Sequence, residues 1–163
     1  MELFVRAALI GVGATVLMDL WAVFLKRAFA TSSLDYAMVG RWLGHMPDGR
    51  FIHARIAASP AIRGERVIGW VAHYMIGIVF AGLLLIVCGL GWARNPTLGP
   101  ALAAGVLTVA APFLVMQPGL GLGIAASRTP KPNLARIRSL ITHAIFGVGL
   151  YGSAEILAKV VPP

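Results

Sequence analysis

VIGWVAHYMIGIVFAGLLLIVCGL, residues 67–90, carries no Asp, Glu, Lys or Arg. At 1.5 Å rise per residue a helix of this length crosses the ~30 Å hydrocarbon layer of a bilayer, whereas a run of about 10–14 apolar residues would suit a buried core helix. Three further runs are apolar and of similar length: Leu3 to Leu25, Leu98 to Met116 and Leu140 to Leu157. The first is too long for a signal-peptide core and ends on Lys26-Arg27 instead of a small-residue cleavage site, so it is read as a retained span. The expected fold is all-α, an integral membrane four-helix bundle with spans at about 3–25, 67–90, 98–117 and 139–158.

Composition agrees. Of 163 residues 58% are apolar and 12% charged, with a mean hydropathy of +0.82. A water-soluble domain of this size cannot bury such an excess. Cys88 is the only cysteine, which excludes an intrachain disulfide framework, and no Cys/His cluster has zinc-finger spacing. No repeat or low-complexity tail divides the chain, so residues 1–163 are read as one membrane domain.

The basic residues sort by side. Lys26, Arg27, Arg41, Arg50, Arg55, Arg63, Arg66, Arg128, Lys131, Arg136 and Arg138 fall in or beside the two connections at 26–66 and 117–139; Arg6, Arg94 and Lys159 fall on the opposite side. The asymmetry predicts cytoplasmic connections and both termini outside. It also accounts for the formal charge of +8 through orientation and attraction to lipid headgroups, without nucleic acid. In the first connection Ser33 precedes Leu34, Ala37, Met38, Trp42 and His45 at helical spacing, and Gly44 with Pro47-Asp48-Gly49 ends the run. This predicts a short interfacial helix with Trp42 at headgroup level. Trp92, beside Asn95-Pro96, is expected in the outer aromatic belt.

Ionisable groups inside spans are expensive and by default mark a site. Asp19 lies seven residues before Lys26, His73 seven after Arg66 and His143 five after Arg138. These spacings place them ~10, ~10 and ~8 Å inside the cytoplasmic boundary. Met116 and Gln117 end the third span on the same side. Stripes at four-residue spacing, Gly11-Thr15-Asp19, Gly69-His73-Gly77-Ala81, Ala104-Thr108-Pro112-Met116 and Ser139-His143-Gly147-Tyr151, carry the small residues that membrane helices use for close approach. The candidate site for a metal or proton is therefore Asp19, His73, His143, Met116 and Gln117. The alternative is that these groups hydrogen-bond one another as helix glue. Pro112 and the glycine-rich Pro118 to Gly123 predict either a broken helix of the kind that builds ion sites or a simple kink. Arg128, Thr129, Lys131 and Arg138 are candidate contacts for an anion or lipid phosphate, against a plain stop and orientation signal. Glu155 and Lys159, four apart, are expected to pair. His45 and His53 have no carboxylate or cysteine at ligand spacing.

Gly40-Arg41-Trp42-Leu43-Gly44-His45-Met46, Gly69-Trp70 with His73-Tyr74, Met116-Gln117-Pro118-Gly119 and Ile124-Ala125-Ala126-Ser127-Arg128-Thr129-Pro130 resemble the motifs of the bacterial membrane family called domain of unknown function 2938. The resemblance extends to His143 and Gly147. It implies a small four-span protein of the bacterial inner membrane and supplies no catalytic residue.

Three functions compete. A cation-binding protein for transport or permeation would use Asp19 and the two histidines for protons or a divalent metal, with a Met116 thioether favouring copper. A haem b electron-transfer subunit would use His73 and His143 as axial ligands, with Arg66, Arg136 and Arg138 near the propionates. A metal-dependent enzyme acting on lipid or quinone ranks last, because no nucleophile or second carboxylate lies in the layer. Four helices make a narrow bundle, so a homo-oligomer or a larger membrane complex is the expected partner alongside the lipid, and an accessory subunit fits as well.

Overall fold

The computed structural model describes residues 1–31 and 34–160, and all regular structure among them is helical. Four helices are long and apolar enough to cross a membrane: Glu2–Phe29, Glu65–Arg94, Leu98–Leu120 and Pro132–Val160. In chain order the α-helices are α1 (Glu2–Phe29), α2 (Tyr36–His45), α3 (Glu65–Arg94), α4 (Leu98–Leu107), α5 (Gln117–Leu120) and α6 (Pro132–Val160). Each long helix outruns its predicted apolar span. α6 begins seven residues before the expected 139, with Pro132 at its first position, where a missing N–H costs nothing.

The chain forms two compact units. Among the described residues the first contains 1–31, 74–108 and 140–160, and so brings together α1, the body of α3, α4 and most of α6. Its core is built from small and medium side chains, among them Ala7, Ile10, Ala14, Ala81, Leu85, Ala101, Phe146, Leu150 and Ala154. Small residues let the backbones meet. A Cβ on Gly11 would stand 2.6 Å from the Ile78 Cα, and one on Gly147 2.8 Å from the Ala101 carbonyl oxygen. Gly77 packs against the Thr15 hydroxyl, so the predicted burial of Gly77 and Gly147 is found. Leu9, Val16, Leu20, Met75, Val79, Leu83, Ile86 and Val87 point outward. Helices that are apolar on their outer faces as well need an apolar solvent.

Trp92 departs from expectation. It is buried in this core, with its indole N–H donating to the Thr97 carbonyl at 3.2 Å, because the turn after α3 supplies an acceptor that lets the ring face inward. At the same end Glu2 accepts from Arg6 at 2.9 Å and from Arg94 at 3.2 Å, so the buried Arg6 side chain is paired. Lys159 and Glu155 pair at 3.4 Å as expected.

The second unit contains residues 34–73 and 109–139. α2 forms where the short helix is predicted, but its N-cap is Asp35, whose carboxylate accepts from the Ala37 N–H at 2.9 Å. Ser33 lies outside the described residues. α2 crosses the start of α3 at Gly40 and Gly69, where a Cβ on Gly40 would stand 2.7 Å from the Gly69 nitrogen. Arg41 locks the crossing: its Nε and Nη2 donate to the two carboxylate oxygens of Glu65, both at 2.8 Å. Trp42 is buried within this unit. Its N–H reaches the Phe51 carbonyl at 2.8 Å and its ring packs with Ile56 and Leu120.

The third span, Leu98–Leu120, is irregular at its proline. α4 ends at Leu107, and Pro112–Met116 forms a π turn whose Pro112 carbonyl accepts from the Gln117 N–H. Pro112 has no N–H to donate, so the hydrogen-bond ladder resets by one residue there. α5 then stops at Gly121, whose φ of +89° favours glycine.

Candidate functional site

Asp19, His73 and His143, the three ionisable groups of the predicted layer, are each hydrogen-bonded to a hydroxyl. In the first unit Asp19 on α1 accepts from the Tyr74 hydroxyl at 2.9 Å. His143 on α6 meets Thr108 at the end of α4, with Nδ1 2.8 Å from Oγ1. The Thr108 hydroxyl proton goes to the Gly105 carbonyl at 2.6 Å. A hydroxyl has one proton, so Nδ1 of His143 is the donor in that pair. The contact exists because α4 and α6 approach on glycines: a Cβ on Gly105 would lie 2.5 Å from the Gly147 Cα.

In the second unit His73 Nε2 lies 2.9 Å from the Tyr36 hydroxyl. Its ring sits in an aromatic corner, with centroids 4.3 Å from Tyr36 and 5.9 Å from Trp70. The Gly40–Gly69 crossing is what carries Tyr36 to this position, since the Tyr36 carbonyl abuts Gly69. Met116 packs against the Trp42, Ile56 and Leu120 cluster. Gln117 is 7% exposed, and its Oε1 is buried with no hydrogen-bond partner.

Asp19 and His143 thus belong to one unit and His73, Met116 and Gln117 to the other. Among the described residues no three His, Cys, Asp or Glu side chains are grouped as a metal ion would need. Arg128, Lys131 and Arg138 are exposed. Thr129 turns inward to donate to the Ala126 carbonyl at 2.8 Å, and Arg136 rather than Arg138 holds the preceding loop, through the Ala125 carbonyl at 2.9 Å.

Three partners were missed from sequence. Tyr36, Tyr74 and Thr108 are the hydroxyls on which the site residues rest, and only Thr108 shares a four-residue stripe with small residues. A second missed feature is the pair His45 and His53, both buried in the second unit with ring centroids 5.3 Å apart. Nothing local signals it, because their hydrogen-bond partners are the distant carbonyls of Pro60 and Gly119.

The family pattern described as Protein of unknown function (DUF2938) matches residues 8–157. No curated protein and no solved structure matches the chain.

Proposed function

The chain belongs to that family, and we propose that it is a bacterial inner-membrane protein which binds protons within its spans, at Asp19, His73 and His143, in the service of transport or permeation. The observation that carries this reading is the hydroxyl on each ionisable group: Tyr74 on Asp19, Tyr36 on His73 and Thr108 on His143. A hydroxyl both donates and accepts, so it can pass a proton to or from its partner without leaving a buried polar group unpaired. A metal at His73 would have to compete with Tyr36 for Nε2. Haem is disfavoured for the same reason, because the Nε2 of His73 is engaged by Tyr36. The similar depths counted along the sequence, ~10, ~10 and ~8 Å, support a proton-binding role for each of the three groups.

The orientation proposed is the one the basic residues favour, with termini outside and the 26–66 and 117–139 connections in the cytoplasm. Four helices enclose little space, so a homo-oligomer or a place in a larger membrane complex forms part of the proposal.

The test is proton uptake into proteoliposomes containing a pH-sensitive dye, driven by a potassium diffusion potential. Wild type should exceed protein-free liposomes. Asp19→Asn, His73→Gln and His143→Gln should each abolish the excess, with double substitutions adding little, as coupled groups do. Flux equal to protein-free liposomes, or losses that add, overturns the reading and leaves these hydrogen bonds as helix glue.

A further inference from the structure

The connection between the first two spans holds two histidines that the proton reading does not use. His45 is 3% and His53 8% exposed. His45 Nε2 meets the Pro60 carbonyl at 3.0 Å, and His53 Nδ1 meets the Gly119 carbonyl at 3.3 Å. A carbonyl only accepts, so in each ring the proton is fixed on the nitrogen that faces it. The other nitrogens, His45 Nδ1 and His53 Nε2, are then lone-pair acceptors, and both are buried with no hydrogen-bond partner. Leaving such an acceptor unsatisfied costs about 1–3 kcal/mol. A ring N–H held by a backbone carbonyl is also the usual support of a metal-ligating imidazole, since it fixes the tautomer and aims the opposite lone pair.

We propose that His45 Nδ1 and His53 Nε2 are ligands to one monovalent copper ion. Three observations converge on that ion. The first is spacing. For a metal–nitrogen distance of about 2.0 Å, with each ring centroid about 1.1 Å behind its nitrogen, centroids 5.3 Å apart lie within the ~6 Å that one shared ion can bridge.

The second is charge. Two neutral imidazoles bring none, and among the described residues no carboxylate or thiolate completes a group of three such ligands with them. The desolvation cost of a buried ion rises with the square of its charge, so a monovalent ion is far cheaper here than zinc or divalent iron. The third is softness. Met46 follows His45 in the chain, and Met46 and Met116 both pack against the Trp42, Ile56 and Leu120 cluster of the same unit. Thioethers select cuprous copper over harder ions.

The experiment uses the full chain with Cys88→Ser, which removes the one thiol that could capture copper, purified in detergent without a polyhistidine tag. Cuprous ion is supplied as its acetonitrile complex with ascorbate, and excess is removed by a cuprous chelator. About one ion per chain should remain, and His45→Gln and His53→Gln should each reduce retention at least about tenfold. X-ray absorption of the loaded protein should give two imidazole nitrogens near 2.0 Å and one sulfur near 2.3 Å, approximately. That spectrum decides the matter on its own if either variant fails to fold. No copper retained, copper retained equally by both folded variants, a shell without imidazole, or zinc bound in preference to copper overturns the assignment. Proton flux plays no part in these readouts, so the copper site stands or falls independently of the proton reading.

Discussion

Tyr74 donates its hydroxyl proton to Asp19 at 2.9 Å, while His73, the residue before it on α3, meets Tyr36 at 2.9 Å. Consecutive positions on a helix point about 100° apart, so one helix step serves two separate polar partners. Tyr74→Phe removes the hydroxyl without changing the ring. The hydroxyl is the partner through which the proposed path passes a proton to Asp19, so proton uptake into proteoliposomes should fall about tenfold or more with the fold intact. Flux unchanged by Tyr74→Phe would disconnect this bond from the activity.

Glycine substitutions in the first unit should rank by what the new Cβ meets. Gly11→Ala and Gly147→Ala drive a Cβ to within 2.6 and 2.8 Å of backbone atoms that cannot turn away, and overpacking of this kind costs about 1–3 kcal/mol. Gly152 has nothing within 4 Å, so Gly152→Ala should hold or raise the melting temperature by relieving the helix penalty of glycine. Thermal unfolding in one detergent compares all three. Equal melting temperatures would place the first two glycines against lipid.

Arg41 and Glu65 form a two-pronged pair in which Glu65 also caps the Ile62 N–H at 3.0 Å. Lysine cannot reproduce the fork. Arg41→Lys should destabilise the second unit by about 2 kcal/mol, the scale of a lost charged hydrogen bond. Hydrogen exchange of α2 amides is the measurement, and unaltered protection would make the pair incidental.

Orientation is tested by single-cysteine labelling on Cys88→Ser. Arg50 is exposed after the turn that ends α2, whereas Asn95 lies in the connection between α3 and α4. Asp48 and Arg50 positions should label only after the membrane is permeabilised, and position 95 from outside. The reverse pattern would invert the proposed topology, because the positive-inside bias would then have been outweighed.

The sequence alone determined the class of fold. Four apolar runs of helix-crossing length, about twice what a barrel strand uses, point to spanning helices, which satisfy their backbone internally in lipid, and Pro112 marked the position where the π turn appears. The stripe spacing also placed Gly77 and Gly147 at helix contacts, because a four-residue period is a property of the helix itself. What it could not determine was which side chains meet across elements. Tyr74 reaches Asp19 over 55 positions, Thr108 reaches His143 over 35, and His53 reaches Gly119 over 66. No local period carries such distances. The same limit hid the burial of Trp42 and Trp92: only folding brought the Phe51 and Thr97 carbonyls close enough to accept from each indole N–H. The buried His45–His53 pair depended wholly on tertiary structure, since its tautomers are set by carbonyls that the chain delivers from Pro60 and Gly119.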